Sequence, residues 1–135
     1  MTYGCQTWTL TKGIIHRLRV SQRAMERKIL NIKIKDRISN RTIRERTKVD
    51  DVIEVVTKAK WRWAGHVARM SDNRWTIRST EWQVRTGNRS RGHPRRRWQD
   101  DITQYIGATW SRTAKNRANW RRFTEGYFQQ WKDTA

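Results

Sequence analysis

Residues 50–70 read DDVIEVVTKAKWRWAGHVARM, and this stretch decides the fold class. Ile53, Val56, Lys60, Trp63, Val67 and Met70 recur at alternating steps of three and four, and Val52 and Ala59 widen the stripe. That period is helical, because residues three and four apart share one face of an α-helix. The start is marked as well: Asp50 and Asp51 place negative charge where the helix dipole is positive. Gly65 lies in the interior, where glycine costs about 1 kcal/mol relative to alanine. A close approach by another backbone or by a Trp ring would account for it. The stripe predicts one helix with its Val56, Trp63, Val67 and Met70 face buried against the stripe of a helix over 12–30.

Upstream, Thr11 to Asn31 aligns Ile14, Leu18, Met25 and Ile29, with Ile15, Gln22 and Leu30 beside them and Arg17, Arg23, Arg27 and Lys28 opposite. This predicts an amphipathic helix capped by Thr9 or Thr11. Between Asn31 and Ile38 the isoleucines Ile32, Ile34 and Ile38 alternate with Lys33, Lys35 and Arg37, which predicts a short strand-like or extended link. Ser39 or Asn40 then caps a short helix through Ile43 to Thr47. Downstream, Trp75, Arg78 and Trp82 suit a further short helix. Another starts at or just after Pro94, turns Trp98, Ile102, Tyr105 and Ile106 inward and ends at Gly107. A last one holds Trp110, Ala114, Arg117 and Trp120 and continues brokenly to Trp131. The expected fold class is all-α: a small helical bundle over 1–72, then a basic linker and Trp-rich C-terminal helices over 73–135.

Composition narrows the function. Thirty-one Lys and Arg against twelve Asp and Glu give a formal charge of +19 on 135 residues. The partner such a chain favours is a polyanion. Residues 61–99 carry ten basic and two acidic groups, so the binding face should centre there. No apolar run approaches the ~20 residues of a membrane span, so a membrane partner is not expected. Leu, Ile, Val and Phe total only 23 residues, and nine tryptophans must supply the missing apolar surface, here expected as several small cores. Cys5 is the single cysteine; it excludes an internal disulfide and a multi-cysteine zinc site and fits a reducing intracellular compartment.

The strongest local signal for binding is Arg85 to Arg97, with six arginines and no acid in thirteen residues. Arg85, Arg89, Arg91, Arg95, Arg96 and Arg97 can each present a planar fork to phosphate, while Gly87, Gly92 and Pro94 keep the stretch out of regular structure. Tryptophan beside a cation recurs at Lys60–Trp63, Arg74–Trp75 and Arg97–Trp98. Single-strand binders stack bases on exposed rings while arginines hold the backbone, so Arg62, Arg74, Trp61 and Trp75 join the candidates. Trp63, Trp98 and Trp120 match apolar stripes and are assigned to packing. Asp100 and Asp101 point about 100° apart on a helix and lack a third carboxylate. They are therefore read as dipole caps paired with Arg95 to Arg97, not as a metal site. No set of His, Cys or acid residues makes a catalytic or metal motif; no cofactor and no small-molecule substrate are expected.

Four segments, in this order, resemble the region that follows the polymerase core in the reverse transcriptases of non-LTR (LINE-type) retrotransposons. They are Tyr3–Trp8, Arg27–Leu30, Lys60–Met70 (KWRWAGHVARM) and Arg91–Ile102 (RGHPRRRWQDDI), and their order and spacing span residues 3–102. Gln6 stands where that family commonly has an acid, and His93 where it usually has Arg. The resemblance implies a thumb-like bundle and C-terminal linker that cradle template RNA, primer duplex or target DNA. It implies that the parent's polymerase and endonuclease domains, expected upstream of Met1, are partners of this segment, in a nuclear or cytoplasmic ribonucleoprotein. Two functions follow: a non-catalytic nucleic-acid-binding segment of a retroelement polymerase, or a degenerate remnant with only nonspecific polyanion affinity.

Overall fold

The computed structural model describes residues 2–71, 74–81, 92 and 96–132. Among them every regular element is helical: α1 (Lys12–Ile29), α2 (Asn40–Thr47), α3 (Val52–Ala68), α4 (Trp75–Glu81), α5 (Asp100–Ile106), α6 (Trp110–Lys115), α7 (Arg117–Arg122) and α8 (Thr124–Lys132), with short 3-10 turns at Cys5–Thr7 and Ile34–Asp36. The all-α class expected from the periodicity is therefore the one observed.

The caps explain where the helices begin. The Thr11 hydroxyl accepts from the Ile14 amide at 3.3 Å, Ser39 from Thr42 at 3.1 Å and the Asp51 carboxylate from Ile53 at 2.8 Å. Each satisfies an amide that the first helical turn leaves free. The link after α1 is not strand-like. Asn31 and Arg37 take positive φ (54° and 50°), and between them the chain closes a 3-10 turn, Ile34–Asp36, capped by Asp36 accepting from the Lys33 amide. The alternation of Ile and Lys there carries no pairing partner, and Ile34 is exposed.

Helix α3 is the axis of the molecule: it packs on α8, the Cys5–Thr7 turn, α6, α1 and α4. Surrounded in this way, it buries most of its circumference, including Val52, Ile53, Val56, Lys60, Trp61, Ala64 and Val67. The stripe read from the sequence is thereby rotated: Trp61 is enclosed, and Trp63 and Met70 are only partly covered. One hydrophobic cluster replaces the several small cores expected. It runs from Cys5 and Leu10 through Ile15, Val56 and Trp61 to Trp110, Trp120, Phe128 and Trp131, so side chains from both sides of residue 72 enter it.

The buried face of α1 is also turned. Ile15, Leu18, Gln22 and Glu26 face inward, whereas Met25 and Ile29 are exposed. The polar pair is there for a reason. Gln22 donates to the Asp50 carbonyl at 2.7 Å and accepts from the Val52 amide at 2.9 Å, which caps the start of α3 from a neighbouring helix. Arg44 of α2 bridges Glu26 at 3.8 Å and Asp51 at 2.8 Å, tying the three helix ends together.

The interior glycine has the role its position suggested. Trp61 and Trp120 stack with centroids 3.8 Å apart and planes 4° from parallel, and each indole N–H donates to the other's carbonyl at 3.0 Å. A Cβ on Gly65 would lie 2.5 Å from Trp120 Nε1, a distance no real methyl occupies. Gly126 in α8 does the same for the Tyr105 hydroxyl, 2.0 Å from where its Cβ would be.

Candidate nucleic-acid interface

Among the clefts beside α3, two bring cations and tryptophans together, and a buried ionic cluster sets the first of them. Lys60 Nζ donates to both Asp101 oxygens at 2.9 Å, the Tyr127 hydroxyl donates to Asp101 Oδ2 at 2.7 Å, and the Ile102 amide donates to Oδ1 at 3.0 Å. Lys60 and Tyr127 are fully buried and Asp101 is 3% exposed. An isolated charge at that depth would cost several kcal/mol, and it is tolerated here because the ammonium faces both oxygens of a carboxylate that two further donors also satisfy. Asp101 is thus not a surface cap paired with Arg95 to Arg97. It is the counterion of Lys60 on α3 and also accepts from the first-turn Ile102 amide, while Asp100 accepts from the Arg97 amide just ahead of α5 at 2.7 Å. A lysine on an apolar stripe was the signal for it, since a buried ammonium requires an acid.

This cluster pins the chain around Arg97 and Trp98 to α3. The Lys60 ammonium lies 5.3 Å from the Trp98 ring centre, and the Trp98 indole donates to the Gln6 carbonyl at 2.8 Å. Trp98 is held beside Trp63 as a result. With Trp75 of α4 the two rings line a cleft of about 750 Å³, whose other walls are Thr7, Thr76, Ser79, Thr80, Arg97 and Gln99. Trp75 is 79% exposed, and the Arg78 guanidinium sits 5.5 Å from its ring centre. Three rings, one cation and several hydroxyls in one groove match the chemistry of a base-stacking platform.

The sequence candidates divide accordingly. Trp75 and Arg97 line this cleft, and exposed Arg74 precedes Trp75. Arg96 is exposed and donates to Gln104 Oε1 at 2.8 Å. Trp61 must be withdrawn as a stacking surface: it is 1% exposed and sandwiched against Trp120. Trp63 and Trp98, assigned to packing, reach the cleft, and Trp98 also packs against the core and Trp110 as that assignment expected. The three-four stripe favours Trp63 for burial, and the packing of α7 against Trp61 reverses that order. Arg62 lies in the second cleft, on the α7 side. Arg85, Arg89, Arg91 and Arg95 lie outside the described residues.

Burial moves two titrating groups of the ionic cluster. The Lys60 ammonium is pushed below its usual range by desolvation, against the pull of Asp101, and the Tyr127 phenol is pushed well above its usual value of 10.0 by desolvation and by Asp101. Between the lowered Lys60 value and the usual 10.5 the unfolded chain holds more protons, so stability rises with pH. Above about pH 10 the unfolded tyrosine ionises while the folded one does not, so the folded state holds the extra proton and stability falls. Chemical denaturation from about pH 10.5 to 11.5, above the window in which Lys60 opposes it, should show that fall, and Tyr127→Phe should lack the tyrosine's share of it. An unchanged slope in the variant would mean that Tyr127 ionises freely in the fold.

Among the described residues no three His, Cys, Asp or Glu side chains group as metal ligands, and no helix is long and apolar enough to cross a membrane. What the fold and clefts define is an all-helical, strongly basic protein with a tryptophan-lined groove. The chain is 33% identical over 133 residues to an uncharacterized transposon-derived protein of Caenorhabditis elegans, an alignment covering 89% of this chain and 48% of that protein. It spans about half the length of that relative, and the similarity connects it to transposon-derived sequence. No protein-family profile and no solved structure matches it.

Proposed function

We propose that this chain is a non-catalytic, nucleic-acid-binding segment of a non-LTR retrotransposon reverse transcriptase, which holds single-stranded RNA or DNA within a ribonucleoprotein. The observation that carries this reading is the cleft of Trp63, Trp75 and Trp98 with Arg97 at its wall. Bases present π-faces to such rings regardless of sequence, and the surrounding charge of +19 attracts the backbone. The transposon-derived relative and the ordered KWRWAGHVARM and RGHPRRRWQDDI segments support the retroelement parentage. The parent polymerase domains are the protein partners this assignment implies.

Trp75 is the residue to test because it is exposed and its removal leaves the core intact. Trp75→Ala should weaken binding of a labelled 12-nucleotide single strand by roughly 5- to 150-fold, the equivalent of about 1–3 kcal/mol for one lost stack. The thermal midpoint should stay where it is. Anisotropy titrations that superimpose for the two proteins would remove the cleft as the binding site.

A further inference from the structure

The second cleft, about 280 Å³ between α3 and α7, is lined by Lys58, Arg62, Arg69, Arg117 and Arg121, with Trp61, Trp120 and Thr124. Its construction follows from the core. Gly65 admits the Trp120 ring against Trp61, and the residues on α7 beside that ring, Arg117 and Arg121, share a face one helical turn apart. Arg62 of α3 and Arg69, two turns on at its C-cap, come up on the facing wall. Docking a tryptophan thus brings four guanidinium groups to one groove.

The charge there is uncompensated. Lys58 is matched at the rim by Glu54 and Glu125, but among the described residues no carboxylate pairs with Arg62, Arg69, Arg117 or Arg121. Arg69 is fixed in place, its Nη1 donating to the Ala114 carbonyl at 2.7 Å, while its Nε is buried with no acceptor. Its affinity for its proton is lowered, first by burial and then by repulsion from Arg117 and Arg121. Like charges assembled at a cost to the free protein are what an anion-binding site requires.

We propose that Arg62, Arg69, Arg117 and Arg121 form a site for phosphate esters, spatially separate from the tryptophan cleft. Its ligand chemistry is the paired oxygens of a phosphodiester or an oligophosphate, to which guanidinium donates two parallel hydrogen bonds. The assignment to strand phosphates rests on the nucleic-acid-binding function proposed above. The site would grip the backbone on one side of α3 while bases stack on the other.

The test compares Arg62→Gln/Arg117→Gln/Arg121→Gln with a control of equal charge loss, Lys12→Gln/Lys35→Gln/Arg46→Gln, all six positions being exposed. For a 12-nucleotide single strand the cleft variant should flatten the slope of log K against log salt by about 2, from ~0.7 per phosphate contact. The control should stay near the native slope. Inorganic tripolyphosphate should bind the native and control proteins, fail on the cleft variant, and displace the strand. Should tripolyphosphate binding depend on the three arginines while the strand's salt slope does not, the ligand is a free oligophosphate, and the strand-phosphate assignment falls while the phosphate site stands. Equal behaviour of cleft and control variants toward both probes overturns the proposal. That result is distinct from a failure of the stacking function, which Trp75→Ala reads separately. The melting midpoint of the cleft variant should not fall, because the removed groups have no carboxylate partners.

Discussion

Asp101→Ala is expected to destabilise the fold by about 3–5 kcal/mol, because it strands a fully buried ammonium without its counterion. Against a total stability of about 5–15 kcal/mol for a domain, that loss removes a large share of the margin and shifts the denaturation midpoint well down. Urea denaturation followed by far-UV circular dichroism measures it. The interpretation is sharpened by a compensated variant, Lys60→Met/Asp101→Leu/Tyr127→Phe, which replaces the whole cluster by apolar groups of similar size. It should recover most of the loss, since a buried pair contributes little net stability while a broken one costs a great deal. An Asp101→Ala protein as stable as the parent would show that Lys60 leaves the core or loses its proton at little cost. Because α5 is anchored through Asp101, the same variant should also loosen Trp98 and Arg97 and weaken single-strand binding.

The second large effect separates two tryptophans that differ by two positions. Trp61→Ala removes a ring that stacks at 3.8 Å on Trp120, contacts Tyr127 at 4.6 Å and donates a buried hydrogen bond. A loss of about 3–5 kcal/mol is expected, as for other buried large-to-small changes. Trp63→Ala should cost far less and should instead weaken strand binding, since Trp63 is partly exposed in the cleft. Equal denaturation midpoints for the two variants would mean that the rotation of α3 is misassigned. Gly65→Ala offers an independent check, as its methyl must displace the Trp120 ring and should lower the midpoint by overpacking.

The division between Trp61 and Trp63 shows where local information ends. The three-four spacing of residues 52–68 established that α3 is a helix, and Asp51, Thr11 and Ser39 marked the starts of their helices by chemistry that acts within three residues. Gly65 also announced a close contact, because an unfavourable residue in a helix interior needs a reason. The facing of each helix was a different matter. A periodic stripe assumes one buried side, and α3 is contacted from several, so apolar residues outside the stripe became the core.

The candidate site was legible in kind and not in membership. Charge and tryptophan pairing with arginine are compositional, so the sequence by itself determined that this is a helical, strongly basic chain. Which rings are exposed, which aspartate is buried with Lys60, and which arginines face one another across α3 and α7 depend on contacts between residues 41 to 59 positions apart. Such contacts are settled only when the whole core packs, because a side chain's burial is a property of everything around it and not of its neighbours in the chain.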